Sequence, residues 1–348
     1  MPTLMEYECP SCGGAVAFDA SLQKIKCPYC DSVFELDQVN VKEETSQEPQ
    51  PMEDPNWSEE VNTYVCQSCG GEILCDANTA ATSCPYCESP VVMGARLEGS
   101  LRPDLVIPFK LDKQAAKDAL RKHTSGKILL PKCFKSENRI EKLQGVYVPF
   151  WLYDATADGD VRYHATKVRH WSDANYNYTQ TRHYAVHRAG DMAFEAVPVD
   201  GSSKMADELM ESIEPYDLTQ AVDFETAYLA GYLADKYDLD QEVTRERAFE
   251  RIRNSTRQTL RGTVNGYSTL NEETADVQVE SGRVRYALLP VWMLSTMYRG
   301  KRYTFAMNGQ TGKMVGDLPM DKAAFWLWFA GVSVAASALA YLIGMLIG

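Results

Sequence analysis

The first 95 residues are nearly devoid of positive charge. Lys24, Lys26 and Lys42 stand there against 16 acidic side chains, and this stretch holds the whole formal net charge of −13. Residues 96–348 are balanced, with 32 side chains of each sign. Phosphate backbones are bound by a surplus of Lys and Arg that releases counterions. The N-terminal stretch is therefore set against nucleic acid and favours contacts with protein. No secretory leader is expected, since Met1 to Tyr7 has neither a basic start nor an apolar run. A complete phosphate loop is missing too. Gly309-Gln-Thr-Gly312-Lys313 has Met307 where the first glycine belongs and Met314 where Ser or Thr belongs, so ATP hydrolysis is not supported. Histidine is scarce, and four of the five (His164, His170, His183, His187) fall on two neighbouring strand-like segments with few acidic residues among them. A metal or proton-relay site is conceivable there, but ordinary strand positions are the favoured reading.

Cysteine, by contrast, is patterned. Cys9-Pro-Ser-Cys12-Gly is followed by Cys27-Pro-Tyr-Cys30, and Cys66-Gln-Ser-Cys69-Gly by Cys84-Pro-Tyr-Cys87, with 14 residues between the pairs each time and an offset of 57. Two C-x-x-C turns joined by a hairpin-length spacer supply four soft thiolates, the donor set of a closed structural Zn²⁺ site. Two Zn²⁺ ions are expected, on Cys9, Cys12, Cys27 and Cys30 and on Cys66, Cys69, Cys84 and Cys87. Redox dithiols sit singly in a βαβ setting that is missing here, and disulfides need an oxidising compartment. The thiols thus point to a reducing, cytoplasmic setting. The glycines after Cys12 and Cys69 suit turns with positive φ. Cys75 occupies the position equivalent to Phe18 and is read as core, and Cys133 as a buried or half-buried thiol.

The fold class expected is α+β: two small β zinc ribbons (1–40 and 61–95), an acidic flexible linker between them (41–60), a mixed antiparallel α+β domain (96–320) and a C-terminal transmembrane helix (321–348). The linker has three prolines, seven acidic residues and one lysine, so the ribbons move independently unless they dock through apolar faces. In the α+β domain, Leu105–Phe109 reads as a strand, and Asp112–His123 as a helix capped by Asp112. Val146–Tyr153 reads as a strand whose Pro149 suggests an edge or bulge. Asp160–His170 and Tyr176–Arg188 read as an antiparallel pair. Helices are expected over Lys204–Ile213, Phe224–Tyr237 and Gln241–Arg261. The last carries six arginines on what reads as a solvated face, able to meet anionic lipid or the acidic ribbons. Gly262–Pro319 looks all-β, with a hairpin turning at Asn308-Gly309. The pattern P-x-W-x₇-G occurs twice, at Pro149-Trp151-Gly159 and Pro290-Trp292-Gly300, hinting at two related helix-plus-hairpin units.

Ala323–Gly348 contains no charged residue. As a helix it would span about 39 Å against a ~30 Å hydrocarbon core. Phe325, Trp326, Trp328 and Phe329 stand at its start like an interfacial belt. The expectation is a single-pass tail anchor in the cell membrane with the N-terminal domains cytoplasmic. Its small-residue pairs would permit homo- or hetero-association.

These features together resemble a bacterial family of TFIIB-type zinc-ribbon membrane proteins. The resemblance rests on the CP-x-CG and CPYC knuckles, the stretch from Tyr298 through Asn308-Gly309 to Lys313, the Gly316-Asp-Leu-Pro319 exit and the hydrophobic C-terminus. It implies partners of the flotillin-like (SPFH) and phage-shock-protein-A-like kinds in membrane-stress modules. The function expected is a non-enzymatic, membrane-anchored adaptor that recruits protein partners. A nucleic-acid-associated protein linked to replication or transcription is the alternative.

Overall fold

The computed structural model describes residues 3–45, 61–65, 72–76, 79–83, 90–93 and 102–347. The N-terminal part is built of strands β1 (Thr3–Glu8), β2 (Ala17–Asp19), β3 (Lys24–Lys26), β4 (Val33–Phe34), β5 (Asn40–Thr45), β6 (Val61–Val65), β7 (Glu72–Asp76), β8 (Thr79–Ser83) and β9 (Pro90–Met93). After these come β10 (Leu105–Val106), α1 (Lys113–Thr124), α2 (Glu137–Ile140) and the long strands β11 (Gln144–Ser172) and β12 (Asn177–Asp200). The remainder comprises α3 (Asp207–Ser212), β13 (Val222–Asp223), β14 (Leu233–Asp235), α4 (Gln241–Gly262), β15 (Thr269–Tyr298), β16 (Lys301–Asn308), β17 (Met314–Gly316) and α5 (Lys322–Ile347). The class is α+β, with an antiparallel core and one apolar C-terminal helix.

The offset of 57 reappears in the strand register. Ile25 pairs with Phe34 and Lys26 with Val33 in the first copy; Thr82 pairs with Val91 and Ser83 with Pro90 in the second. The bridge Glu8–Ala15 likewise recurs as Val65–Glu72.

The N-terminal copies are not beads on a string. The large sheet runs β14-β8-β9-β1-β5 away from the middle of the protein, so strands of both copies extend it. Expected linker residues 41–45 belong to β5, paired with β1 from Thr3–Thr45 to Glu8–Asn40; residues 46–60 lie outside the described part. The first copy also docks directly. Phe18 meets the Tyr228 ring edge-on at 5.3 Å, its N–H donates to the Ala230 carbonyl, and Gln23 donates to the Phe109 carbonyl at 2.6 Å. Tyr7 hydrogen-bonds Thr226. A Cβ on Gly231 would lie 2.8 Å from Ala17 Cβ, so that glycine permits the approach. Val16, Phe18 and Ile25 share one apolar cluster with Phe109, Tyr147, Tyr232 and Trp292. A ribbon this small cannot bury its own apolar residues, and the body supplies the missing side.

Strand β11 is central. It pairs with β15 from Gln144–Met293 to Thr166–Thr269, and its other edge meets first β14, then β12. Pro149 therefore lies in a central strand, contrary to the edge expected. Its carbonyl accepts from Gly201 in the gap between β14 and β12, and its absent N–H faces the same gap, so no ladder bond is forfeited. A bulge does occur, at Tyr153–Ala155. The expected helix over 224–237 is instead a short 3-10 turn (Thr226–Leu229), Gly231 at φ 88° and β14. The left-handed glycine ends the turn, and strand pairing with β11 and β8 overrides local propensity. The hairpin at Asn308-Gly309 is wider than expected. Asn308 pairs with Lys313 across the loop, and the positive φ sits at Gly312. The tight two-residue turn is Arg299-Gly300, where both φ values are positive and Tyr298 pairs with Lys301.

Asp112 caps α1 by accepting from the Ala115 N–H at 2.8 Å, and Asp240 caps α4 the same way at Glu242 and Val243. Helix α4 buries Thr244, Ala248, Ile252, Thr256 and Leu260 against the long strands, where Gly159 leaves room for Thr256 and Leu260. Five of its six arginines pair with the chain's own carboxylates, Arg245 with Glu242 among them, while Arg261 donates to the Leu270 carbonyl, so the solvated face expected is largely self-paired. Arg247 pairs with Asp207 and Glu211, Arg251 with Glu214, Arg253 with Glu246 and Arg257 with Glu272.

The two P-x-W motifs sit in matching hydrogen-bond circuits. The Gly201 N–H donates to Pro149, the Gly201 carbonyl accepts from Asp238 and Leu239, and the Leu239 carbonyl accepts from the Trp151 indole. Likewise the Gly309 N–H donates to Pro290, the Gly309 carbonyl accepts from Lys110 and Leu111, and the Leu111 carbonyl accepts from the Trp292 indole. The strands agree: β10 runs parallel to β15, and β14 parallel to β11. The two halves are thus related by a local two-fold and exchange one short strand each.

Candidate metal centre

Four thiols, Cys9, Cys12, Cys27 and Cys30, converge with all Sγ atoms within 4.8 Å of one another. Cys9–Cys30 and Cys12–Cys27 lie 3.6 Å apart, far beyond disulfide distance. Cys9 and Cys27 are buried, while Cys12 and Cys30 face outward.

Two turns of the same construction set this geometry. In the first, the Cys9 N–H donates to Gly14 and the Gly13 N–H donates to Cys9; in the second, the Cys27 N–H donates to Ser32 and the Asp31 N–H to Cys27. The residue four after each leading cysteine takes a positive φ, 72° at Gly13 and 57° at Asp31. The glycine was foreseen; Asp31, whose short polar side chain tolerates this conformation, was not. Gly14 is required for a different reason, since a Cβ there would lie 2.6 Å from the Tyr29 ring. The sequence signal for these features is their recurrence at the offset of 57, as Gly70, Gly71, Tyr86, Glu88 and Ser89.

The proton balance of the cluster is uneven. The Gly14 N–H favours a thiolate at Cys12, but the thiols of Cys30, Cys27 and Cys9 outweigh it and push Cys12 up to about 12. The Ser32 hydroxyl and N–H, with the Cys12 and Cys27 thiols, bring Cys30 down to about 6. The Cys30 sulfur ionises readily, and Cys12 holds a proton that a thiophilic cation would displace. The cluster could therefore hold a metal ion. Its donors are all sulfur and come from one closed pair of turns. The second predicted set, Cys66, Cys69, Cys84 and Cys87, lies outside the described residues. Cys133 is half-buried, as expected.

The histidines do not form a comparable set. His164 Nε2 and His183 Nδ1 are 2.9 Å apart with stacked rings, His187 bonds Asp160 at 2.8 Å, and His170 bonds Thr179 at 2.9 Å. Among the described residues, the thiols are the group in which three or more such ligands converge.

The C-terminal helix α5 supplies the other conspicuous feature. Lys322–Leu339 has a mean hydropathy of 1.4 and is long and apolar enough to cross a membrane, with none of that window buried against the protein. Trp326, Leu327, Trp328, Phe329 and Val334 are all exposed.

The arrangement defines an α+β protein with an N-terminal thiol cluster and one membrane-compatible C-terminal helix. The chain is 35% identical over 348 residues to "Uncharacterized protein YdjG" of Bacillus subtilis (strain 168), covering 99% of each chain, and belongs to the family of that protein. No family model matches the sequence, and no solved structure matches it.

Proposed function

We propose that the protein is a non-enzymatic adaptor anchored in the membrane by α5, whose zinc-loaded N-terminal copies present a rigid acidic surface to protein partners. Zinc suits the donor set. A tetrahedral Zn²⁺ with ~2.3 Å bonds to sulfur has S–S edges of about 3.8 Å, close to the 3.6 Å seen for two of the pairs. The second ion is assigned to Cys66, Cys69, Cys84 and Cys87 from the repeated spacing. Zinc in such a closed site folds the turns and leaves no coordination position for substrate.

The observation that carries the adaptor reading is Tyr29. It is 67% exposed at the knuckle tip, yet its ring lies over Gly14 beside the thiol cluster, whose base is fixed to the body. A large aromatic held outward at low entropic cost is the usual anchor of a protein interface. Partners of the flotillin-like and phage-shock-protein-A-like kinds, in a bacterial membrane-stress setting with the N-terminal copies cytoplasmic, fit the family resemblance.

Crosslinking in native membranes tests this with Tyr29→Ala against the wild type. Removing residues 1–95 is a poor test, because strands β1, β5, β8 and β9 would leave the large sheet with them. The expected result is loss of a specific crosslinked protein at unchanged zinc content, near two ions per chain. An unchanged crosslink pattern, or salt-sensitive DNA capture by the N-terminal copies, contradicts the adaptor reading.

A further inference from the structure

Beyond Thr166, where β15 begins, the β11–β12 hairpin continues alone as a two-stranded finger from the pair Lys167–Arg182 to the pair Ser172–Asn177. A lone two-stranded ribbon is marginal in water, yet this one is well braced. The Asp173 carboxylate accepts from the Asn175 and Tyr176 N–H groups and from the Tyr178 hydroxyl, each at 2.8 Å. Trp171 and Tyr178 stack across the strands at 5.4 Å.

The finger is basic where the rest of the body is balanced. Residues 167–182 hold three Lys and Arg against one acidic residue, Asp173. Strand alternation puts Lys167, Arg169, Arg182, Trp171 and Tyr178 on one face. Lys167 stands directly opposite Arg182, a like-charge pairing that costs stability in a sheet. Unlike Arg247, Arg251 and Arg257 of α4, these three cations form no ion pair among the described residues. Lys167 lies over the rings of Tyr184 and Tyr267, and Arg169 over Trp171. Trp171 is 44% exposed, and Tyr176 at the turn is 67% exposed.

We propose that this face docks on an anionic bilayer surface. Indole and phenol rings settle at the headgroup level, and Lys and Arg add attraction to anionic lipid. Single-stranded nucleic acid would also be drawn to the charge, but it binds by stacking bases on free aromatic faces. Here Trp171 is already engaged by Tyr178 and Arg169. The finger stands at the far end of β11 from the residues that lead into α5, roughly 80 Å along the strand at ~3.3 Å per residue. Anchoring by α5 therefore does not account for it.

The test uses the full chain in zwitterionic phosphatidylcholine nanodiscs, mixed with free vesicles of phosphatidylcholine alone or with 40% phosphatidylglycerol, and read by co-flotation. Wild type is expected on the anionic vesicles only, and less so as salt rises. Each neutralised cation should weaken binding roughly fivefold, so Lys167→Gln/Arg169→Gln/Arg182→Gln should weaken it roughly 100-fold. Arg253→Gln, on α4, should bind as wild type. Should the triple variant lose its metal or melt early, Arg182→Gln alone decides, through its fivefold loss. Equal flotation of wild type and a folded variant overturns the proposal. So does tighter capture of a labelled single-stranded oligonucleotide, at equal salt, that the same substitutions abolish. A wild-type chain that proves soluble without detergent is assayed without nanodiscs, so failure of the anchor reading is seen separately.

Discussion

Asp200 and Asn308 occupy matching corners of the two tryptophan circuits, yet only the amide is satisfied at both ends. Asn308 donates to the Ile213 and Pro215 carbonyls and accepts from Gln310 and Thr311. Asp200 accepts from the Ser202 N–H, but its second carboxylate oxygen is buried without a partner. Burial pushes this carboxyl up to about 7, from an ordinary value near 3.8. A carboxyl whose folded value lies above its unfolded one binds more protons in the folded state between the two values. Stability therefore falls as pH rises from about 4 to about 7 and is level beyond. Asp200→Asn should remove that slope. Thermal melts should show the variant above wild type at pH 8 and indistinguishable from it near pH 4; a gap that does not change with pH would refute the assignment.

Among the elements, the Trp151 and Trp292 indoles each tie a long strand to the carbonyl just before a capped helix. Replacing either by Phe leaves a leucine carbonyl without its donor, at a cost of about 1–3 kcal/mol. The double variant should lose nearly the sum, because the residues are well separated along β11 and β15; denaturant titration reads both. Much at this scale was legible beforehand. Thiol spacing, the Asp112 cap, the β11–β12 pairing and the repeated P-x-W motif all write a local rule into the sequence. The echoed glycines were less informative, since Gly159 admits α4 whereas Gly300 forms a turn. What stayed hidden was non-local. Phe18 and Ile25 look like the core of a self-contained hairpin whether or not Tyr228 covers them. Phe224–Tyr237 reads as a helix until β11 and β8 compete for it. Arg247, Arg251 and Arg257 of α4 read as part of a solvated face until Asp207, Glu211, Glu214 and Glu272 are brought beside them.

For the whole molecule, the thiol cluster and the body share one apolar cluster, so metal loss should not stay local. Chelation at neutral pH is expected to lower the melting temperature of the entire α+β body by several degrees. It should also speed hydrogen exchange at the Phe18 amide, which donates to Ala230. Loss of structure confined to residues 3–45, with the body's melt unmoved, would count against this coupling.

The exchanged strands carry a consequence for biosynthesis. Strand β10 finds its parallel neighbour only at Ala287 and Leu288, late in translation. A nascent chain must hold its first half open until those residues leave the ribosome, and the apolar α5 segment follows soon after. Completion of the body and delivery of its greasy end thus become nearly simultaneous events, so slow synthesis through residues 262–300 should leave the early half prey to proteases.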